Sequence, residues 1–201
     1  MTEDDFVVTA PNYKTVTVII VDGELNITGD TTVDITGKIV MNDNDNEFDT
    51  RPDDIIVRVL ADGEETGYIA HAVINEEGEL EYVLEDLPRF DEETGKEIEY
   101  QVYVDDITGY ETAYEGNDII YNLKQYRLTI DYTLGGELKG TFTNMYYYGQ
   151  PYDVASISIT GFRPDQDRVI GVMGDEDEHI EVKYTTVYYT LTIQYINAET
   201  G

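Results

Sequence analysis

Cysteine and tryptophan are absent from this sequence of 201 residues, histidine occurs twice, and only 12 residues are basic. Without cysteine there is no disulfide, no thiol nucleophile and no thiolate metal centre. The 43 acidic side chains leave a formal charge of −31. A polyanion of that size is repelled by nucleic-acid phosphates and by anionic membrane surfaces, which excludes charge-driven binding to either. No apolar run approaches the ~18–20 residues of a membrane-spanning helix. The start, MTEDDF, is acidic and is no signal peptide, so any export signal or wall anchor is expected outside this stretch. His71 and His179 fall in different predicted domains, and there is no Gly-rich phosphate loop. Acidic pairs are too frequent to mark a site, so the expectation is a protein with no enzymatic activity and no cofactor.

What is present is enough for ordinary cores: 41% of residues are hydrophobic, and the length suits one or two domains. The stretch Asn42–Ile56, NDNDNEFDTRPDDII, organises the first half. Its Asn and Asp residues bond their own backbone and tolerate left-handed conformations, which predicts a long loop. After Arg51-Pro52, the alternation of Ile55, Val57 and Val59 with Ile56, Arg58 and Leu60 predicts a strand closed by Asp62-Gly63.

Further turn signals stand at Glu77-Gly78, Thr94-Gly95, Thr108-Gly109 and Glu115-Gly116. Between them, strands are expected at Ile35–Met41, Ile55–Leu60, Tyr68–Val73, Leu80–Leu84, Glu97–Val104 and Ile119–Leu123. Short strands at this spacing point to an all-β sandwich. Ahead of them, Thr15–Val21 (TVTVIIV) reads as one strand followed by an Asp22-Gly23 turn, and Thr31–Ile35 leads into the sandwich. Residues 1–34 therefore read as a strand extension or added hairpin, whose unpaired edge offers backbone groups to another chain.

The loop-then-strand order, continued by DLPRFDEETGKEIEYQVYV (Asp86–Val104) and ITGYETAYEGNDIIYN (Ile107–Asn122), resembles the B-type repeat of collagen-adhesin proteins, the CnaB domain, a stalk module of Gram-positive surface proteins. The resemblance implies a Greek-key β-sandwich of the transthyretin type. It also implies a place for a spontaneous Lys–Asn isopeptide bond assisted by a buried Glu. Alignment of NDNDN, GKEIEY and YEGNDII puts those three positions at Ile39, Val104 and Tyr121, all apolar or aromatic here. Losing one member of such a triad would strand buried polar groups, whereas replacing all three restores an apolar core. Lys38, Asp105 and Asn122 each lie one residue away, and a one-residue slip turns a side chain to the opposite face of its strand. The expectation is no cross-link.

In the second half YRLTIDY (Tyr126–Tyr132) returns as YTLTIQY (Tyr189–Tyr195), and Tyr121 as Tyr184, each at an offset of 63 residues. A strand repeated at fixed spacing marks an array of modules. LTIDY followed by GQPYDV, ITGFRPD and EVKYT resembles the mucin-binding-protein (MucBP) repeat, which implies a small β-grasp-like fold. A last strand is expected at Ile180–Tyr184. The domains read as 1–34, an extension; 35–123, the CnaB-like sandwich; 124–186, the MucBP-like module; and 187–201, the first strand of a following repeat or a pairing strand.

Three features are candidates for binding. Asp43, Asp45, Glu47 and Asp49 alternate along one loop, a pattern of oxygen ligands suited to calcium, but the glycine and terminal glutamate of an EF-hand are missing. DEDEHIE (Asp175–Glu181) reads as a solvated hairpin, with His179 titratable but without a nucleophile. The 18 tyrosines cluster at Tyr146, Tyr147 and Tyr148 and at Tyr188 and Tyr189. Exposed rings of this kind stack on sugars, while half-buried ones pack between strands. The resemblance to modules of surface proteins implies a stalk or spacer fragment of a bacterial cell-surface adhesin, located at the cell wall or cell surface. Its expected partners are neighbouring repeats of the same protein. The alternatives are a mucin- or glycan-binding module and a filament subunit joined by strand addition.

Overall fold

The computed structural model describes residues 31–194 in full and, before them, the backbone of residues 6–8, 16–21 and 24–28. Among the described residues there are strands and turns but no helix. Strands β1 (Phe6–Val8), β2 (Val16–Val21) and β3 (Glu24–Thr28) form an antiparallel sheet in the order β1-β2-β3. TVTVIIV thus gains two partners, where only an extension or hairpin was expected. The Asp22-Gly23 turn lies outside the described residues.

The CnaB-like region holds β4 (Thr32–Asn42), β5 (Ile56–Ala61), β6 (Glu64–His71), β7 (Val73–Ile74), β8 (Leu80–Pro88), β9 (Tyr100–Val104), β10 (Tyr110–Glu115) and β11 (Asp118–Leu123). Its sheets are five-stranded, β10-β11-β4-β8-β7, and three-stranded, β6-β5-β9. The chain leaves the first sheet after β4, returns at β7, leaves again for β9 and returns at β10. That alternation produces the Greek-key β-sandwich. Period-2 side chains then fill the core: Ile35 and Ile39 on β4, Val57 and Val59 on β5, Tyr82, Leu84 and Leu87 on β8, Val102 on β9 and Ile119 on β11 are buried. Each fully buried aliphatic contributes about 1.5–3 kcal/mol of transfer free energy.

Two departures from the expected strands have local causes. Glu97–Glu99 stay out of β9 because Asp91 closes a tight loop before it. The Asp91 carboxylate accepts from Thr94 N at 2.8 Å and from Thr94 Oγ1 at 2.6 Å, and Gly95 N donates to Asp91 O at 2.8 Å. β10, which was not expected at all, buries only its first residue, Tyr110, so its sequence YETAYE carries little alternation to read.

The second half contains β12 (Gln125–Leu134), β13 (Glu137–Tyr147), β14 (Pro151–Ala155), β15 (Phe162–Pro164), β16 (Arg168–Val172) and β17 (Glu178–Thr186). β12 and β13 form a hairpin through Gly135-Gly136, and β12 pairs in parallel with β17 from Leu128↔Glu178 to Leu134↔Tyr184. The result is a mixed sheet, β13-β12-β17-β15, with a separate antiparallel ribbon, β14-β16. Leu128, Ile130, Tyr132, Tyr152, Val169, Met173, Val182 and Tyr184 make one buried cluster. After β17, residues 187–194 form no strand.

Contacts gather the chain into two compact units. One holds the chain up to Val40, Asp53–Asp105 and Ala113–Ile120; the other holds Met41–Pro52, Asp106–Thr112 and the chain from Tyr121. The loop after β4 and the turn before β10 therefore belong with the second half.

Candidate functional site

The acidic loop folds around one of its own carboxylates. Asn44, Asp45 and Asn46 adopt φ of 55°, 57° and 60°, the left-handed region that Asn and Asp tolerate best. Asn46 N donates to Asp43 Oδ1 at 3.1 Å, and Asn46 Oδ1 accepts from Thr50 N at 2.9 Å and Arg51 N at 3.1 Å. This coil returns Arg51 over Asp43, where Arg51 Nε and Nη2 each donate at 2.6 Å to the two carboxylate oxygens. Tyr110 OH donates to Asp43 Oδ2 at 3.2 Å and shares a 2.8 Å hydrogen bond with Thr50 Oγ1. Asp43 is 2% exposed, the single buried charged side chain among the described residues. The Arg51 guanidinium, with help from Asn46 N and Tyr110, holds its carboxyl below the usual range although burial opposes this.

This arrangement has a direct bearing on calcium. Both oxygens of Asp43 are occupied by Arg51, while Asp45, Glu47 and Asp49 point to solvent. Among the described residues no group of three or more acidic or histidine side chains is placed to hold a metal ion. The partner of Asp43 was legible in one respect: Arg51 is the single basic residue between Lys38 and Arg58.

The tyrosine run packs beside this loop. Tyr147 stacks on Phe48 with centroids 6.1 Å apart, and Tyr146 lies 5.7 Å from Tyr152 in the second core. Gly109, at φ 80°, passes so close under the Tyr148 ring that any Cβ there would collide with it. Tyr146, Tyr147 and Tyr148 are all half-buried. Tyr188 and Tyr189, in contrast, are 90% and 88% exposed.

Of the three residues expected from the resemblance at the isopeptide positions, Ile39 and Tyr121 are buried and Val104 is half-buried. Their polar neighbours are engaged separately at the surface. Lys38 Nζ donates to Glu79 at 2.6 Å, Arg58 Nη2 to Asp105 at 3.0 Å, and Asn42 Nδ2 to Asn122 Oδ1 at 2.8 Å. The bond with Glu79 raises the Lys38 pKa, the reverse of the neutral amine that condensation needs.

The remaining polar features are pinned structurally. In DEDEHIE, Asp177 Oδ1 accepts from Arg127 N at 2.7 Å and Glu178 from Tyr152 OH at 2.7 Å. His179 pairs with Asp131 and His71 with Asp54, each at 2.8 Å and exposed. An open cleft of about 400 Å³ is lined by Asp106, Thr108, Glu111, Lys124, Tyr126 and Asp175, among others. It offers mixed charges but no nucleophile–base pair.

Residues 35–123 match the family model of the Cna protein B-type domain. The collagen adhesin of Staphylococcus aureus is 38% identical over 88 residues, which is 44% of this chain and 7% of the adhesin. The chain therefore covers a small part of that relative's length. A solved structure of two B repeat units of the S. aureus collagen binding protein aligns with 78% of this chain and 50% of its own, at 20% identity and a TM-score of 0.41. The pilus adhesin SpaC of Lactobacillus rhamnosus GG aligns with 81% of this chain and 25% of its own, at 10% identity and a TM-score of 0.38.

Proposed function

We propose, from the premise that residues 35–123 form a Cna B-type domain, that this chain is a non-catalytic stalk or spacer segment of a bacterial cell-surface adhesin. B-type domains are structural repeats of adhesins, and that family match carries the reading. The mechanism is mechanical: β modules in series, each with its own core, hold a distal binding region away from the cell. The interior supports it. The residues aligned with this family's cross-link positions in the sequence reading, Ile39, Val104 and Tyr121, carry no amine, amide or acid, and the buried acid of the loop is neutralised by Arg51 rather than held ready for a ligand. Tyr146–Tyr148 are half-buried, which supports packing over sugar stacking.

The cell wall of a Gram-positive bacterium is the proposed location, and neighbouring modules of the same protein are the proposed partners. Collagen is the first ligand to test, because it names the relative; mucin-type glycans follow. Surface plasmon resonance on immobilised collagen and a glycan array, both with the whole chain, should show no saturable binding. Saturable binding to either would replace the spacer reading with that of a binding module.

A further inference from the structure

The second-half module is entered and left through two strands that lie side by side. The chain comes in along β12, from Gln125, and goes out along β17, to Thr186. The two strands are parallel and paired over seven consecutive positions, Leu128↔Glu178 to Leu134↔Tyr184, without a bulge. In a parallel pair the start of one strand and the end of the other lie at opposite ends of the ladder. A pull along the chain therefore draws β12 and β17 past each other lengthwise, and every rung is strained at once. Were the two strands antiparallel, both pulling points would lie at one end and the rungs would open one after another.

The surroundings of this pair resist the same displacement. β13 runs along the far edge of β12, and β15 covers the last residues of β17, Tyr184–Thr186. On the inner face Leu128, Ile130, Tyr132, Val182 and Tyr184 are buried in one cluster, so sliding has to drag them through close-packed neighbours. On the outer face Asp131 bonds His179 and Thr133 bonds Glu181, each at 2.8 Å and each two places before the register partner on β17. The pull carries Asp131 toward His179 and Thr133 toward Glu181, so these bonds are kept while the strands begin to slip. The β14-β16 ribbon is backbone-paired with neither strand and lies off this path. We propose that the module is a shear-loaded mechanical clamp, in which the parallel β12–β17 ladder is the element that bears tension along the chain. The clamp rests on the stalk reading, which supplies the tension.

Single-molecule force spectroscopy on the whole chain is the test. The sequence has no cysteine, so two introduced cysteines are unique attachment points. Gln125→Cys with Thr186→Cys loads the ladder in shear. Gln125→Cys with Glu176→Cys pulls on the same end of both strands and peels it; all three positions are exposed. In shear the roughly 60 residues from Gln125 to Thr186, at about 3.5 Å each less about 35 Å of folded strand, should be released in a step of about 180 Å. The shear force should be about twice the peel force or more, because seven rungs yield together rather than singly. The unsubstituted chain, held by tags at its two ends, should show the same step of about 180 Å above the peel force. Arg168→Ala, which breaks the Arg168–Asp153 pair in the ribbon off the path, should leave the shear force unchanged. Equal forces in the two geometries, a shear force that falls in Arg168→Ala, or the lack of that step above the peel force in the unsubstituted chain would each overturn the clamp. These outcomes are separate from the stalk reading: saturable binding of collagen or a glycan would end that reading and leave the force ratio as it is, whereas equal forces would end the clamp and leave the stalk reading standing.

Discussion

Arg51→Ala tests whether the acidic loop is a lock. The carboxylate of Asp43 is 2% exposed and receives four donors: Arg51 Nε and Nη2 at 2.6 Å, Asn46 N at 3.1 Å and Tyr110 OH at 3.2 Å. Truncating Arg51 removes the two short charged bonds and leaves a buried anion on two long neutral ones. Breaking a fully buried pair in this way costs about 3–5 kcal/mol. The Arg51 side chain is 41% exposed, so part of its interaction was already screened, and the lower end, about 3 kcal/mol, is expected. For a chain of this size that lowers the melting temperature by roughly 6–12 °C. Asp43→Ala should cost less, about 1–2 kcal/mol, because Arg51 can turn to solvent and Tyr110 keeps Thr50. The double variant should be no worse than Asp43→Ala. The pH dependence has a definite sign. In the native loop the Asp43 carboxyl is held below the ordinary value of about 3.9, so its contribution is complete above that pH and fades as pH falls through the lower folded value. In Arg51→Ala the buried, unpaired carboxyl titrates above its unfolded value, so its penalty is relieved as pH falls. The difference between native and variant should therefore shrink from pH 7 toward pH 4, read by calorimetry in each buffer. An Arg51→Ala protein within about 0.5 kcal/mol of native at pH 7, or a gap that widens toward pH 4, would refute the reasoning.

Intact mass should equal the sequence mass; a deficit of one ammonia mapped to Lys38 and Asn122 would show a cross-link after all. Calorimetry in physiological salt should find no tight stoichiometric calcium site, and Arg51→Ala, which releases Asp43, should be the variant that gains affinity; tight one-to-one binding lost in Asp45→Asn would contradict this. Burial, joined at Tyr152 by Glu178, pushes the Tyr82 and Tyr152 hydroxyls up to about 12, so their contribution to stability should be level below pH 10 and fall above it by about 1.4 kcal/mol per pH unit for each ring. Phenolate absorbance that develops wholly near pH 10 would show those rings to be accessible. Fragments 1–124 and 125–201 should each fold, but each should melt below the whole chain because the Phe48–Tyr147 stack and the Tyr148 N to Lys124 O bond are lost, a difference of about 0.5–1.5 kcal/mol for the ring pair. Melting temperatures identical to those in the whole chain would show that the halves are independent.

Much of the fold was legible because alternation and turn chemistry agree. Ile55, Val57 and Val59 are buried and Ile56, Arg58 and Leu60 are not, as the pattern at the start of β5 required. The Asn/Asp run did adopt left-handed backbone. What resisted reading depends on distant partners. β10 has one inward residue, so only its pairing with β11 makes it a strand. β12 and β17 are parallel neighbours some fifty residues apart, and no local signal specifies a parallel pairing. The role of Arg51 was hidden for the same reason: a loop carboxylate surrounded by others looks like a cation site until the coil of Asn44–Asn46 is seen to return the arginine.

That arginine also shows how to read acidity in this chain. With 43 acids and 12 bases, a cation beside a given carboxylate is the exception. Lys38, Arg58, Lys139, Arg168 and Lys183 all pair with acids across exposed surface. Such pairs contribute little, and salt screens them. Among the described residues only Arg51 is set against a carboxylate that water cannot reach, and without it a buried anion is left with no counter-charge. The excess negative charge elsewhere acts on the molecule as a whole, through solubility and self-repulsion. Counting acidic residues therefore overstates the chance of a metal site in this loop, because the one carboxylate buried deeply enough to anchor an ion already has a permanent counter-ion in the chain.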